Sequence, residues 1–515
     1  MMATDAHRSL EVIVDGEPVA VDDETATLLD VLRAAGKTSV KDGCSPQGQC
    51  GCCTVLVDGQ PRVSCVTPVR RMRGREITTV DGIDTTDADR WVDAFAETGG
   101  SQCGFCTPGI ICRFEGLRSK GARHDDRGVA ADSLLAHMCR CTGWQPIVDA
   151  WVAFPTATGA VRSEAASQRA ELEGGSAQST DPDVAIGRGG FADDTAPADA
   201  LAAVLDASTG EWVVAPTRAE ALRLAGKVQG RRTTAEFSPP IEMPAGDWAR
   251  TLRTSWTEPG YLETDAAWCA PGDEPVSPLE NAGAFGGKVN SEVGEVARRL
   301  ADEHGRPVRV LFSREDVVYR GPKRPPVAAG VRADGSGIVR VARTTGIADV
   351  ITTVSPGLEV EEVTVAGPPT SAAIRGAGWL EMVVLLAGLR GHVGWITAPG
   401  GGSATASVLE DGSVDVRVRC GAPLDETILR SYCIGAAHMG LGLVTSESLG
   451  VDTDGVIHDL TVRSFGILRA VDTPLITVTI ESDDGPPVNG SDAVMAAVAA
   501  AAWLASGCAQ DWPTG

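Results

Sequence analysis

The sequence predicts an α+β chain of several domains, and three observations lead to that prediction. The first is length, because 515 residues exceed what one hydrophobic core usually supports. The second is an N-terminal run of strand, turn and helix patterns that becomes purely helical near residue 85. The third is a long remainder in which strands, glycine turns and helices alternate. We therefore expect a small sheet domain, a helical bundle and a larger mixed α+β region.

The N-terminal pattern predicts a β-grasp domain over residues 1–84. The segments LEVIVDGEPVAV and TVLVDGQPRV each have strand, Asp-Gly turn and strand, which is a strong hairpin signal. Between them, ETATLLDVLRAAG has the apolar spacing of an amphipathic helix that ends at Gly36. The cysteine-rich loop CSPQGQCGCC, residues 44–53, follows that helix. A sheet wrapped around one helix is the β-grasp arrangement.

The rest of the chain divides into three parts. Residues 85–155 contain four short helical patterns: DADRWVDAFAETGG, TPGIICRFEGLRSKG, GVAADSLLAHM and GWQPIVDAWVAF. Residues 156–189 are rich in Ser, Ala, Gly and charge, which predicts a linker. Residues 190–515 combine turns such as ADGSG with helices such as SEVGEVARRLADEHG, which predicts a mixed α+β region.

Charge and composition exclude several classes of partner. The net charge of −24 repels phosphate and anionic lipid, so we expect neither nucleic acid nor a membrane as partner. The N-terminus MMATDAHRSL has no apolar signal-peptide core and no twin arginine, so we expect a cytoplasmic protein. In that compartment the 14 cysteines should be reduced, and clusters of them indicate metal rather than disulfides.

The first cysteine group indicates a cluster of iron and sulfide. Cys44, Cys50 and Cys53 lie on one loop, and Cys65 returns on the following strand. Three ligands on a loop and one at a distance is the layout of plant-type ferredoxins, which hold a 2Fe–2S cluster by four thiolates. The first spacing is five residues instead of the usual four, and Cys52 is expected to face away. Zinc is the alternative, but paired zinc knuckles have a different spacing.

The second cysteine group consists of Cys103, Cys106, Cys139 and Cys141. A CxxC followed by a CxC, each near the start of a predicted helix, places four thiolates around one cluster in a helical bundle. Zinc is again the alternative, and CxC is an awkward zinc spacing. The other cysteines outside the two groups are predicted to be small buried hydrophobes: Cys112, Cys269, Cys420, Cys433 and Cys508.

Three segments within residues 9–155 carry a family resemblance: GCSPQGQCGCCTVLVDG, SQCGFCTPGI and CRCTGW. In this order they resemble the iron–sulfur subunit of the xanthine dehydrogenase, or molybdenum hydroxylase, family. The resemblance implies two 2Fe–2S clusters, one on each cysteine group, with the helical-domain cluster beside a molybdopterin. It implies that Gln102 stands where the family hydrogen-bonds the pterin, and that electrons leave through the ferredoxin-like cluster to flavin or another acceptor.

The C-terminal half resembles a shortened molybdenum subunit of the same family. NAGAFGGKV, residues 281–289, resembles the glycine-rich loop near the molybdenum, which would bring Gly286 and Gly287 to the cofactor. SAAIRGAG resembles the segment whose arginine positions substrate, here Arg375. Arg375 would either steady an oxyanion at a molybdenum site or be retained as a structural arginine. A phosphate-binding P-loop is excluded, because the glycine spacing is short and Val289 replaces Ser or Thr.

This half also departs from the family at positions that supply the catalytic base and the cofactor contacts. The stretch between VVLLAGLRG and GWITAPGG is nearly absent. The family's catalytic glutamate is replaced by Gly485 in SDDGPPVNG, and Asp483 and Asp484 are displaced from its position by more than near-attack geometry tolerates. Met439 stands near a cofactor-facing glutamine of the family.

Three functions are open from the sequence. The first is an oxidoreductase subunit, the iron–sulfur electron-transfer component of a xanthine, aldehyde or CO dehydrogenase-like hydroxylase, not catalytic by itself at molybdenum. Molybdopterin would lie on a partner chain or be weakly shared, and FAD only on a partner, because no GxGxxG follows a strand. The second is a self-contained molybdopterin-dependent hydroxylase of a heteroaromatic or aldehyde. The third is a non-catalytic redox sensor or assembly protein.

Overall fold

The N-terminal unit of the computed structural model is a five-stranded sheet with one helix. The structure describes residues 10–44, 46–159, 163–206, 208–227, 236–276, 283–481 and 484–515. The first elements are β1 (Leu10–Val14), β2 (Glu17–Val21), α1 (Leu28–Ala34), β3 (Thr54–Val57), β4 (Gln60–Val63) and β5 (Glu76–Thr78). The strand order is β2-β1-β5-β3-β4, with β1 and β5 parallel. This confirms the β-grasp prediction.

Both predicted hairpins form at their Asp-Gly turns. Asp15 and Gly16 have φ angles of 52° and 81°, and Asp58 and Gly59 have 48° and 72°. Positive φ at both central residues is the type I′ geometry, whose twist matches that of paired strands. The second hairpin differs from expectation in one detail. Cys65 lies in a 3-10 turn, Ser64–Val66, that follows β4 and is not part of a strand.

The four predicted helices of the second unit are present. They are α2 (Thr85–Thr98), α3 (Thr107–Arg118), α4 (Arg127–Ser133) and α5 (Gln145–Ala153). Their centre is aromatic: Trp91 stacks on Trp151 with ring centroids 6.1 Å apart and on Phe154 at 4.0 Å. Both rings of the Trp pair are fully buried, which fixes the helices around one core.

The segment expected to be a linker contains a buried helix, α6 (Glu164–Gly174). Arg169 and Glu173 have no solvent exposure and form an ion pair of 2.9 Å. The Glu173 carboxylate also accepts the backbone N–H groups of Gly490 and Ser491 at the start of a C-terminal helix. A carboxylate at a helix N-terminus is favourable because it meets unpaired N–H donors and the positive end of the helix dipole. The segment is buried through these polar contacts and through Ala166 and Ala170, one turn apart, which pack on Ile428 and Tyr432.

The remaining elements form three further four-stranded sheets and their covering helices. The strand orders are β7-β6-β10-β9, β13-β12-β11-β8 and β14-β15-β16-β17. The elements are α7 (Ala192–Thr195), β6 (Leu201–Leu205), β7 (Trp212–Ala215), α8 (Arg218–Leu224), β8 (Arg250–Arg253), β9 (Ala266–Cys269), α9 (Val293–His304), β10 (Val308–Leu311), α10 (Arg314–Arg320), β11 (Val327–Val331), β12 (Gly337–Ala342), α11 (Ile347–Val354), β13 (Leu358–Val363), α12 (Trp379–Arg390), β14 (Ile396–Thr397), β15 (Ser403–Val408), β16 (Val414–Arg419), α13 (Glu426–Thr445), β17 (Ile476–Ile480) and α14 (Ser491–Ala505). This confirms the mixed α+β prediction.

Helix α13 attaches the C-terminal region to the helical iron–sulfur unit. A Cβ atom on Gly435 would lie 1.7 Å from the carbonyl oxygen of Cys141, and one on Gly143 would lie 2.7 Å from that of Ile434. Only glycine permits so close an approach of two backbones. The C-terminal region is therefore packed directly on a cysteine of the second group. No helix in the described ranges is long and apolar enough to cross a membrane.

The buried pair in α6 gives the first prediction. Glu173→Ala leaves Arg169 as an unpaired buried charge, so we expect the free energy of unfolding to fall by about 3–5 kcal/mol. The matched control is Glu303→Ala, which removes a pair of the same i,i+4 spacing whose side chains are about half exposed and should cost at most about 0.5 kcal/mol. Urea titration followed by circular dichroism measures both. Equal losses in the two variants would contradict this account of α6.

Candidate metal centres

The four thiols of the first group lie together in a buried pocket. The Cys44 sulfur accepts backbone N–H donors from Gln47 at 3.2 Å and Gln49 at 3.5 Å. It also lies beside the thiols of Cys50 and Cys65, and Cys65 in turn lies beside Cys53. The hydrogen bond from the Cys50 thiol, with that from Cys65, holds the pKa of Cys44 well below its ordinary value. The loop therefore provides N–H donors aimed at sulfur, as a cluster requires.

Cys52 does not face away from this group, contrary to expectation. It is buried, and its thiol lies against that of Cys50. A Cβ atom on Gly43 would lie 3.2 Å from the Cys52 sulfur and 3.1 Å from the Cys50 sulfur. The absence of a side chain at Gly43 makes the space that Cys52 fills. The sequence contained no indication of this, because the contact depends on how the loop folds back on itself.

The second group forms two thiol pairs. The sulfurs of Cys103 and Cys141 are 3.4 Å apart, and the thiol of Cys106 lies beside that of Cys139. The Cys106 thiol lowers the pKa of Cys139 to about 7, with help from the Thr142 hydroxyl 3.2 Å away. Two thiolates for each of two irons is what a 2Fe–2S cluster needs. The four ligands of a two-iron cluster need not surround one point. Within the described residues, no three or more ligating side chains are arranged to hold a single metal ion.

One hydrogen bond joins the two groups. The N–H of Met138, the residue before Cys139, donates to the carbonyl oxygen of Cys50 at 2.9 Å. The neighbouring His137 is buried and packs over Gly51, where a Cβ atom would lie 2.5 Å from the imidazole ring. Burial lowers the pKa of His137 to about 3, and nearby Arg113 lowers it further in the same direction. The histidine is neutral at physiological pH, so it adds no charge between the groups.

A buried ion pair fixes the second group against the C-terminal region. Arg140, between Cys139 and Cys141, donates to both carboxylate oxygens of Glu447 at 2.5 and 2.8 Å. Its Nε also donates to the carbonyl of Pro259 at 2.9 Å. Sequence reasoning missed this pair. The Arg in CRC was visible, but nothing in the sequence marks Glu447 as its partner.

A cavity of about 280 Å³ lies beside the second group. Cys103 and Cys141 line one side, and Phe285, Gly286 and Arg375 line another. Two residues expected at the pterin lie outside it. Gln102 is buried and donates to the Ser431 hydroxyl at 2.8 Å. Gly287 packs on Tyr261, whose ring carbon would lie 2.4 Å from an added Cβ.

The side chains that line this cavity do not fit an anionic pterin cofactor. Its three described cations are each paired: Arg140 with Glu447, Lys288 with Glu263 at 2.6 Å, and Arg375 with Asp492 at 3.0 Å. Arg375 also donates to the Glu173 carbonyl at 2.5 Å and lies over the Phe285 ring. A phosphate-bearing group needs donors that acids have not already neutralised. The contacts of Arg375 support its interpretation as a structural residue.

The other positions that the sequence analysis compared with catalytic or cofactor-facing residues of the family lie at Gly485, its neighbours and Met439. Gly485 lies in a loop whose carbonyl accepts the N–H of Ala422 at 3.0 Å, and Asp484 beside it is exposed. Asp483 lies outside the described residues. Met439 is buried in the core of the C-terminal region on α13. Asp484, the carboxylate next to Gly485 in the sequence, is therefore exposed to solvent.

The glycine loop gives the second prediction. Gly286 has φ 87°, and an added Cβ would lie 1.9 Å from the carbonyl oxygen of Ala373, so Gly286→Ala should cost about 3 kcal/mol or more. Gly412→Ala is the control, since Gly412 has φ 84° but no atom within 4 Å of the added Cβ. The free energy of unfolding of Gly412→Ala should fall by only about 1–2 kcal/mol, which is the cost of a left-handed backbone for a residue with a Cβ atom. Urea titration compares the two, and similar losses would contradict the close packing.

The Lys288–Glu263 pair gives the third prediction. Burial raises the pKa of Glu263 to about 7, although Lys288 opposes the shift. The folded state thus holds this proton more tightly than the unfolded state does, and the resulting stability is lost as pH rises through about 7. Between pH 4.5 and 8, wild type should lose up to about 3 kcal/mol relative to Glu263→Gln. Urea titrations along this pH range measure the difference, with exposed Glu303→Gln expected to follow wild type. Parallel profiles for wild type and Glu263→Gln would refute the shift.

Two family models match the N-terminal units. A 2Fe–2S iron–sulfur cluster binding domain matches residues 12–74, and a 2Fe–2S binding domain matches residues 79–152. The first range contains all of the first cysteine group, and the second range contains all of the second. The chain therefore has two iron–sulfur binding domains in the order that the sequence predicted.

Solved structures share the fold of the whole chain. Aldehyde oxidoreductase from Desulfovibrio gigas aligns with a TM-score of 0.70 at 15% identity, covering 98% of this chain and 99% of that one. The aldehyde oxidoreductase of Desulfovibrio desulfuricans ATCC 27774 aligns with a TM-score of 0.71 at 14% identity. Identity this low shows the fold alone, and the fold is that of aldehyde oxidoreductase, including the mixed sheets of the C-terminal half.

Curated relatives match the N-terminal part by sequence. The aldehyde oxidoreductase of Megalodesulfovibrio gigas is 43% identical over 133 residues, which is 25% of this chain and 14% of that protein. The chain thus matches about one-seventh of the length of this relative. One probable xanthine dehydrogenase subunit from Bacillus subtilis (strain 168) is 33% identical over 156 residues, 30% of this chain and 81% of that protein. Because this match covers most of that subunit at more than 30% identity, the chain belongs to the xanthine dehydrogenase family of molybdenum hydroxylases.

Proposed function

We propose that this chain relays electrons through two 2Fe–2S clusters as the iron–sulfur component of a molybdenum hydroxylase. The first cluster is held by Cys44, Cys50, Cys53 and Cys65, and the second by Cys103, Cys106, Cys139 and Cys141. One observation carries the proposal: the Met138 N–H donates to the Cys50 carbonyl at 2.9 Å. This bond connects a residue of the first group to the residue preceding Cys139 of the second. The two groups are therefore neighbours, which supports electron transfer from one cluster to the other.

The surroundings of the groups support a direction for the electrons. The second group borders the cavity of about 280 Å³, whereas the first lies under exposed Val66. In this proposal electrons enter at the second cluster and leave from the first, as the family resemblance implies. Each cluster accepts one electron at a time, and burial with N–H donors to sulfur sets its potential. A molybdenum centre that releases two electrons needs such one-electron carriers beside it.

The chemistry at molybdenum belongs to a partner chain in this proposal. Each cavity cation already contacts a carboxyl group of this chain, and the position of the family's catalytic glutamate is Gly485. In this proposal the residues from 190 onwards pack on the second group and form the docking domain for a molybdopterin-binding subunit. FAD, where it takes part, is also bound by a partner.

The runner-up is a self-contained hydroxylase, and one observation favours it. The cavity lies where a cofactor would meet the second cluster, with Cys141 in its wall. For this function the pair of Arg375 with Asp492 would have to open, and a base would have to come from a residue other than Gly485. Elemental analysis of the chain purified alone and without oxygen separates the two functions. Stoichiometric molybdenum would favour the runner-up, and zinc with little iron would reject both.

The ligand sets give the fourth prediction. Wild type purified without oxygen should hold about four irons and show two 2Fe–2S EPR signals after reduction. Cys44→Ala should lose about two irons and one of the signals, because it removes one of four thiolates of the first cluster. Cys52→Ala is the matched control, a buried cysteine of the same loop, and should keep both signals. Loss of a signal in Cys52→Ala, with Cys44→Ala unaffected, would reassign the ligands.

A further inference from the structure

We propose that Arg314, a residue of the C-terminal region, supplies the buried positive charge that stabilises the reduced state of the first cluster. Arg314 is the first residue of α10 and is distant in sequence from the cysteine loop. The inference rests on the proposed function, because it concerns the potential at which the first cluster accepts its electron. It adds a positioning residue that sets this potential, and it gives the C-terminal region a second role beside docking.

Arg314 differs from the other buried cations of the described residues, because it has no carboxylate partner. It has no solvent exposure, and it forms no ion pair within the part of the chain that the structure describes. The six other buried Lys and Arg side chains in those ranges each form an ion pair: Lys41, Arg140, Arg169, Lys288, Lys323 and Arg324. A buried charge without a counter-charge is costly, so we expect an anion other than a side-chain carboxylate to balance this guanidinium.

The acids that share the buried surroundings of Arg314 are engaged with other groups. Glu258 pairs with Lys323 at 2.9 Å, and Asp265 accepts the Tyr261 hydroxyl at 2.7 Å. Arg314 donates to the backbone carbonyl of Tyr261 at 2.9 Å and not to either carboxylate. These acids therefore act on the guanidinium only from a distance, and neither competes for its donors.

The guanidinium directs its other donors at the backbone beside the first cysteine group. Its Nη2 donates to the carbonyls of Gly43 at 2.5 Å and Leu262 at 2.7 Å, and its Nε has no acceptor among the described residues. Gly43 is joined directly to Cys44, and a Cβ atom added to it would lie 3.1 Å from the Cys50 sulfur. One glycine thus separates the positive charge from two proposed ligands of the first cluster.

The C-terminal region also holds the two residues whose N–H groups donate to the Cys44 sulfur. These residues are Gln47 and Gln49. The Gln47 side chain donates to the Leu460 carbonyl at 2.6 Å, and Arg463 donates to the Gln49 carbonyl at 2.9 Å. These contacts hold the cysteine loop against the region that carries the guanidinium, so the charge and the loop keep one relation.

A fixed cation in this place favours the reduced state. A 2Fe–2S cluster with four thiolates is an anion, and reduction by one electron makes it more negative. The guanidinium attracts that additional charge across a buried space of low dielectric constant, so it raises the potential of the cluster. In the proposed function the electron comes from the second cluster, which is oxidised in the same step. Arginine keeps its proton throughout, so the step balances without a proton or another reactant.

The test compares two replacements of Arg314 in the full-length protein purified without oxygen. Arg314→Gln removes the charge and keeps an amide NH2 for the carbonyls, whereas Arg314→Lys keeps the charge and loses the planar fork. The matched control is the double variant Arg324→Gln with Glu381→Gln, which removes a buried arginine of the same region together with its own carboxylate. EPR during titration with dithionite measures the ratio of reduced to oxidised cluster at a fixed potential. The signal that Cys44→Ala removes is the signal of the first cluster.

At the potential where the first cluster of wild type is half reduced, Arg314→Gln should lower this ratio roughly tenfold, which is about 59 mV for one electron. Arg314→Lys and the control should stay within roughly threefold of wild type, and the second cluster should stay within about twofold in every variant. An unchanged ratio in Arg314→Gln overturns the proposal and leaves Arg314 as a structural clip. An equal fall in Arg314→Lys or in the control, or an equal shift of both clusters, overturns it too.

Two further outcomes are decided by iron content. Where Arg314→Gln purifies without the first cluster, Arg314→Lys decides: assembly with a ratio near that of wild type supports the role of the charge, and loss of the first cluster there as well overturns it. Wild type without iron rejects the proposed function and this inference together. Two clusters whose potentials do not respond to Arg314→Gln reject this inference alone.

Discussion

The bidentate contact between Arg140 and Glu447 is the interaction on which the arrangement of this molecule depends. It is buried on both sides, and Arg140 stands between two cysteines of the second group. Removing one partner from such a pair costs about 3–5 kcal/mol, because the other charge is left without solvent or counterion. The pair therefore holds the CRC segment and the C-terminal region in one relation, and the close backbone contact of Gly435 with Cys141 needs that relation.

The same rule of paired burial explains the character of the cavity and of α6. Arg375, Lys288 and Arg169 are all enclosed by protein, and each has a carboxylate as partner. Charges arranged in this way specify how segments fit together, and they leave little for an incoming anion. In the proposed function, this paired burial of charge is the reason why the C-terminal region acts as a scaffold.

The outer surface follows a different rule. At the first group, the apolar side chain of Val66, next to Cys65, is exposed. The two ends of the proposed relay therefore differ in their surroundings: the inner end is enclosed by paired charges, and exposed side chains stand beside the outer end.

The sequence by itself determined those features whose physics is local. The Asp-Gly turns predicted both hairpins because positive φ is needed there, and the apolar spacing predicted α1 to α5. The two cysteine groups and their order were visible in the spacing alone. Tertiary structure decided the contacts between distant residues: Cys52 beside Cys50, Gln102 on Ser431, Glu173 at the start of α14 and Glu447 on Arg140. Each of these polar groups has many partners available in sequence, and only the folded chain selects one, because burial makes an unpaired polar group too costly to keep.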